Sequence, residues 1–408
     1  MQGLFFIRLR FSKGGIFSFL RSNQFTILFL MKGFELTISN FSTIFNSGKN
    51  KRKMAQNKLV LIGNGFDLAH GLKTSYKHFL DWYMCDIFQQ FCSSSSYEDA
   101  LVKIKSNFSN PKFSLPENIS TFDQVIKTLN SSQHLIFEYK SLFFQNILAS
   151  FSNNNWVDIE IYYFKLLKTY FTQQDYFDKK GKVLNLNKEL DFLIFKFIDY
   201  IKIVNQKMKD LPRLNLSSSK YNINKIFTPT DALFAKTTYL NFNYTDTLIN
   251  KYNIGNSDVI HIHGRVSEID TNPIIFGYGD ESDPSYQNIE DTGENMYLEH
   301  LKSFGYFSTG NYRKLLSFIN SDPYSVHIIG HSCGLSDRVL LSEIFENPNC
   351  QNIEIFYHVR KDGSDNFKEI TQEISRHFKP QNKNLMRRRI LNKNNQNTIP
   401  QFDSEDNI

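Results

Sequence analysis

The sequence predicts an open, mostly parallel α/β sheet interrupted by a large helical insertion. Three observations predict it. The apolar run Lys58 to Ile62 breaks abruptly at Gly63, Asn64 and Gly65, with Asp67 just beyond, as a buried strand does when it feeds a tight turn. From about residue 92 to 216 the apolar periodicity is mostly helical. Strand-like runs then return with helix-like segments between the later ones, and that alternation is the signature of a parallel sheet.

Before the first strand, residues 1–53 differ in composition from everything that follows. They hold nine of the 47 Lys and Arg residues against one acid, Glu35, and end in Lys51, Arg52 and Lys53 directly before Met54. The rest is left with 38 basic and 40 acidic residues, so the net charge of +6 carries no nucleic-acid signal for the body. We read residues 1–53 as an upstream extension and expect translation to start at Met54. The longest apolar run there, Phe25 to Met31, is far short of the roughly 20 residues a membrane span needs, and no small-residue cleavage site follows it.

The main domain is expected over residues 54–385. After the glycine turn, Thr74 to Phe91 has helical spacing, with Thr74 or Ser75 able to cap it. In the insertion, SLFFQNILASF, WVDIEIYYFKLLKTYF and ELDFLIFKFIDYIKIVNQKM each place aromatic and aliphatic side chains on one helical face, and Ser93–Ser96 and Asn107–Pro116 read as loops. The later strand-like runs are KTTYLNFN to Asn243, DVIHIHG to Gly264, PIIFGYG to Gly279, SVHIIGH to His331 and NIEIFYHV to Val359. YRKLLSFI and RVLLSEIFEN are helix-like segments between them. Residues 386–408 read as a flexible tail. The 41% hydrophobic and 22% charged fractions are those of a folded globular chain. Four cysteines with no CxxC pair give neither a zinc ribbon nor a disulfide framework and fit a reducing cytoplasm.

Ligands of open parallel sheets bind beyond the carboxyl ends of the strands, and the distinctive residues cluster there. Glycines accept positive φ and let backbone N–H groups approach a phosphate, so Gly63, Asn64, Gly65 and Asp67 point to a nucleotide. Leu68 stands where a dinucleotide fingerprint needs its third glycine, and a turn that binds nothing explains the segment equally well. Asn241, Asn243, Thr245 and Asp246 form a polar group past the next strand, suited to ribose hydroxyls, an amide or a water; the plainer alternative is a loop satisfying its own turn. With period two, His261 and His263 face the same side, and His263, before Gly264, is placed to act as a general base near neutral pH. Two histidines lack the further ligands usual for zinc, so no metal is expected. GHSCG, Gly330 to Gly334, matches the nucleophile-elbow pattern; a serine hydrolase would use Ser332 with Asp337 or Asp362 and His358 or His377. Too few residues follow Ser332 for the rest of such a sheet, and a second glycine loop at a nucleotide accounts for the motif as well. Asp158 and Glu160 suit the first turn of a helix, where acids complement the dipole.

LIGNGFDLAHGLKTSY, WVDIE, NFNYTDTL, HIHG, IIFGYGD and IIGHSCGLSD, in this order from about Lys58 to about His377, resemble the AbiH family of bacterial proteins linked to abortive phage infection. That family in turn resembles sirtuin-type NAD-binding domains. The resemblance implies a sirtuin-like, Rossmann-like domain that binds NAD as ligand or substrate and cleaves it to nicotinamide and ADP-ribose. It implies catalytic roles for His263, Asn243 and Asp246, and contacts to the dinucleotide from Gly63, Asn64, Gly65, Asp67, Gly277, Gly330 and Ser332. The alternative within the same resemblance is a nucleotide-sensing module without turnover. Tyr244 and Thr245 separate Asn243 from Asp246 where sirtuins have one residue, and the paired CxxC zinc module is absent, which disfavours protein deacylation. A phage-derived trigger is the implied partner, with no nucleic acid and no membrane; an oligomer is compatible with the sequence.

Overall fold

The computed structural model describes residues 56–107, 119–154, 158–173, 176–208, 234–393 and 398–399. The chain divides at Ala55, and all of these residues belong to the part that follows. The expected start at Met54, most of the Asn107–Pro116 connector, Trp156 and Val157 of WVDIE, and residues 209–216 lie outside the described residues.

β1 (Gln56–Ile62) is the central strand of the main sheet. The insertion contributes a second, antiparallel sheet of β2 (Ser96–Glu98), β3 (Val102–Ser106) and β4 (Leu135–Tyr139). The main sheet continues with β5 (Phe234–Asn241), β6 (Val259–His261), β7 (Tyr324–Ile329) and β8 (Cys350–Phe356). Its order is β6-β5-β1-β7-β8 and every pairing is parallel, with Leu61 opposite both Leu240 and Ile328. The chain therefore builds outward from β1 through β5 to β6, then returns to the far side of β1 for β7 and β8. Between β1 and β7 the order reverses, and there a Rossmann-like sheet opens its ligand crevice.

Both faces of this sheet are covered, so its strands alternate between two apolar layers. Leu59, Leu61, Leu240, Ile260, Val326 and Ile328 pack on one side. Val60, Ile62, Tyr239, Val259 and Ile329 pack on the other with Phe66 and Leu248. Each such buried aliphatic side chain contributes about 1.5–3 kcal/mol by leaving water. A third core joins the insertion to residues 266–301, with Phe79, Phe144, Tyr163 and Leu190 meeting Phe276 and Tyr297. No helix among the described residues is long and apolar enough to cross a membrane.

The helix Tyr76–Ser94 leads into the insertion, which is helical at Phe122–Ser131, Leu142–Asn154, Ile159–Phe171 and Tyr176–Lys207. Its small sheet adds strands that the mostly helical reading did not name. In β3, Val102 and Ile104 are buried while Lys105 is exposed, a period-two pattern too short to stand out between helices. Three further expectations are corrected. PIIFGYG is not a strand of the main sheet: its one bridge pairs Tyr278 with Leu301. Gly277 there lies against the His300 carbonyl, where a Cβ would come within 2.0 Å of the oxygen. β6 ends at His261, so period two does not extend to His263. The described residues past 385 are not a free tail: the helix Lys383–Arg389 is followed by Leu391, whose N–H donates to the Ile353 carbonyl at 3.0 Å, and the Ile399 N–H reaches the Tyr357 carbonyl at 2.9 Å.

The two glycine loops touch each other at the crevice. A Cβ on Gly63 would lie 2.5 Å from the His331 Cα, and one on Gly330, at φ +68°, would lie 2.1 Å from the Phe66 nitrogen. The Gly330 contact is with backbone, which cannot yield as a side-chain tip can. Gly330→Ala is therefore expected to destabilise the fold by about 3 kcal/mol or more, combining the left-handed conformation with a backbone clash. Urea unfolding of the variant checks this; an unchanged midpoint would contradict the loop contact.

Candidate functional site

Because all five main-sheet strands run parallel, the loops after β1, β5, β6 and β7 gather at one edge. A cavity of about 580 Å³ opens there, bordered by side chains from these loops and from the insertion. That volume is within the range of small-molecule sites.

A buried charge cluster borders the cavity. Lys302, on the short helix Lys302–Gly305, is 2% exposed. Its Nζ donates to Glu160 Oε2 at 2.9 Å and to Asp337 Oδ1 at 2.8 Å. Glu160 is the second residue of the helix Ile159–Phe171, which Asp158 caps by accepting from the Glu160 and Ile161 N–H groups. The other Glu160 oxygen accepts from the Gly277 N–H at 3.1 Å. Asp337 ends a turn of 3-10 helix, Leu335–Asp337, after β7. His263 Nε2 lies 3.1 Å from Asp337 Oδ1, close enough for an ion pair but out of line for a hydrogen bond, so this buried nitrogen has no directed partner. His331 Nε2 is 3.6 Å from Asp337 Oδ2, while its Nδ1 accepts from the Cys333 N–H at 2.9 Å.

The electrostatics follow from two carboxylates sharing one ammonium. Burial opposes charge on Lys302, but Asp337 and Glu160 outweigh it and hold its pKa well above the usual lysine range. Burial likewise opposes charge on Asp337, yet Lys302 and His263 hold its pKa well below the carboxylate range. Glu160 is pushed up to about 8 by burial, with Asp158 and Asp337 adding repulsion against the pull of Lys302. Burial, then Lys302, lowers the His263 pKa, against the opposing pull of Asp337. The arrangement keeps a neutral imidazole beside a firmly ionised carboxylate, which is the pairing a general base needs.

A second polar group borders the cavity near β1. Asp67, in the helix Asn64–Ala69, is 1% exposed; its Oδ2 accepts from the Thr245 hydroxyl at 2.6 Å, and its Oδ1 makes no directed hydrogen bond. Burial pushes its pKa up to about 6, although the hydrogen bond from Thr245 and the nearby polar side chains of Thr247 and Asn243 pull it down.

Residues 59–359 match the family described as Bacteriophage abortive infection AbiH. The chain belongs to the AbiH family. No curated protein matches it. The family's description ties this AbiH chain to phage abortive infection.

Of the site residues expected in this AbiH protein, His263, Asn243, Asn64, Gly65, Asp67, Gly330 and Ser332 border the cavity. Gly63, Gly277, Asp246 and His261 do not border it. Asn243 Nδ2 donates to the Gly63 carbonyl at 3.1 Å, which fastens the loop after β5 to the first glycine turn. Asn64 Oδ1 accepts from the Thr74 hydroxyl at 2.5 Å. Asp246 is a tether: its carboxylate accepts from Arg265 Nε, from the Ser267 hydroxyl at 3.0 Å and from Asn205 Nδ2 at 2.9 Å. Gly277 serves the site indirectly, through its N–H on Glu160.

The N–H groups of Gly63 and Gly65 are already engaged and are not offered to a phosphate. The Gly63 N–H donates to the Ile329 carbonyl at 3.1 Å and the Gly65 N–H to the Gly330 carbonyl at 2.7 Å. The hydrolase arrangement is also unassembled among the described residues: Ser332 is exposed and no hydrogen bond there links it to a histidine, His377 Nε2 is bonded to the Cys333 carbonyl at 2.7 Å, and Asp337 is committed to Lys302 and His263. Among the described residues no group of three or more His, Cys, Asp or Glu could hold a metal ion.

Sequence reading missed Lys302 and gave Asp337 only a hydrolase role. Lys302 lies in YLEHLKSFGY, where nothing local distinguishes it from a solvated lysine. The doubled acids of WVDIE were the one available signal for Glu160.

Asp67 yields a stability prediction. Its folded pKa of about 6 lies above the ordinary value of 3.8, so the folded state holds the proton longer than the unfolded chain. Asp67 therefore favours folding below pH 3.8 and loses that contribution as pH rises through 6, about 3 kcal/mol in all. Asp67→Asn keeps an acceptor for Thr245 and is expected to raise the melting temperature at pH 7 and to flatten the decline between pH 4 and 6. Thermal denaturation across that range checks it; a less stable variant at pH 7 would contradict the buried-charge reading.

Proposed function

We propose that this cavity binds a nicotinamide dinucleotide and hydrolyses its nicotinamide–ribose bond, so that the protein depletes NAD in an infected cell. The observation that carries the reading is the buried His263–Asp337 pair, joined through Lys302 to Glu160, in a cavity at the switch point of a Rossmann-like sheet. The resemblance of the motifs to sirtuin-type domains supports the same ligand.

In this reading the C1′–N bond breaks heterolytically, its electron pair leaving with nicotinamide as a neutral base. The ribose becomes an oxocarbenium-like cation, for which the Asp337 carboxylate supplies negative potential. Water adds to C1′, and its proton passes to neutral His263. Asp337 stabilises the imidazolium that forms, and Lys302 holds Asp337 in place. Asn243 positions the first glycine turn against the ribose.

His263→Ala is expected to lower kcat for nicotinamide release by about 100-fold or more, the usual range for losing a positioned base. Chromatography of NAD incubated with purified protein reads this directly. Unchanged turnover in the variant would end the assignment, and a ligand-induced rise in melting temperature without product would leave binding alone. Because burial and Lys302 lower the His263 pKa while Asp337 opposes them, the base stays unprotonated below the ordinary 6.5. The acid limb of kcat/KM is therefore expected below pH 6.5; a limb above it would contradict His263 as the base.

A further inference from the structure

We infer that this site recognises the cationic pyridinium riboside half of its ligand and disfavours phosphate. The inference rests on the proposed ligand but not on its turnover. Four carboxyl side chains border the cavity: Asp67, Asp158, Glu160 and Asp337. Among the described residues the fixed cations bordering it are Lys77 and Lys302, and no arginine does. Both lysines are engaged. Lys302 bridges Glu160 and Asp337, and Lys77 Nζ lies 3.0 Å from Asp81 and over the Phe122 ring.

Two further observations point the same way. The N–H groups of Gly63 and Gly65 donate to carbonyls of the partner loop, so these turns do not present them to a phosphate. Tyr76, Phe197, Phe242 and Tyr244 border the same space, and aromatic faces beside carboxylates form the environment that attracts organic cations. Burial raises Asp67, Glu160 and Asp158, whereas Lys302 and His263 hold Asp337 down, so the ammonium of Lys302 is spent on Asp337 and, among the described residues, Asp67 has no lysine beside it. A pyridinium entering such a space relieves that imbalance, whereas a pyrophosphate adds to it. The buried Asp67 Oδ1 and His263 Nε2, both without directed partners, are left for donors and acceptors of a ribose.

The test is calorimetric titration of the full chain with three probes: nicotinamide riboside, its reduced dihydro form of nearly the same shape but no charge, and ADP-ribose. All three probes are titrated into the His263→Ala variant, so that the comparison is made on one protein, and the two uncleavable probes also into the wild type, where similar affinities show that the variant remains folded. The riboside is expected to bind at least tenfold more tightly than either other probe. Asp67→Asn is expected to shrink that preference several-fold. Equal affinity for the charged and reduced ribosides, or tighter binding of ADP-ribose, would overturn the inference. Nicotinamide release from NAD by the wild type is measured separately: its absence overturns the hydrolysis reading, while a preference for the cation would still stand.

Discussion

The structure depends on Lys302 being shared between Glu160 and Asp337. The three residues come from separate parts of the chain: a helix of the insertion, a short helix after the PIIFGYG segment, and the turn that follows β7. Burying these charges is costly, and an apolar triad of similar volume would serve stability as well or better. Removing one member is worse, because it strands a charge in a medium that cannot solvate it. A buried arrangement that stability alone does not favour, lying in a cavity at a sheet's switch point, is the pattern of a functional site.

The parallel sheet explains why the polar residues converge. Parallel pairing places every strand's carboxyl end on one edge, so loops far apart in sequence meet there without further design. The meeting is tight: the backbones after β1 and β7 approach so closely that Gly63, Gly65 and Gly330 leave no room for a Cβ. The glycines are thus explained by contact between the loops, without a phosphate. Asn243 on Gly63 and Thr245 on Asp67 then fix the third loop to the first. The first glycine turn is held from both sides before any ligand arrives, which is preorganisation in the literal sense.

Much of this fold was legible because a strand covered on both faces has a strong local signature. The apolar run before Gly63 is continuous and the one before Gly330 is broken only by His327, and both pack into two cores on opposite sides of the sheet. What was illegible depends on contacts distant in sequence. β3 and β4 are short and isolated among helices, so their alternation carries little weight. PIIFGYG has strand composition, yet close packing of Gly277 on the His300 carbonyl turns its N–H toward Glu160 instead of a sheet neighbour. In the site, the residues next to glycine turns were visible from sequence. Lys302 was not, since its partners lie 142 and 35 residues away and no short motif encodes that separation.

The same geometry bears on whether the helical insertion is merely a scaffold. Glu160 is the insertion's direct contribution to the charge cluster, while Asn205 bonds Asp246 and the Tyr200 hydroxyl donates to the Lys73 carbonyl. The insertion is thus fastened to the loops that follow β1 and β5, by groups whose hydrogen bonds cannot be replaced by water where they are buried. Any displacement of the helix Ile159–Phe171 withdraws a carboxylate from Lys302 and leaves its ammonium to Asp337 alone. That raises the positive potential at His263, which sits beside Asp337 and already feels Lys302. The insertion's position and the basicity of His263 are therefore coupled through two hydrogen bonds of one lysine.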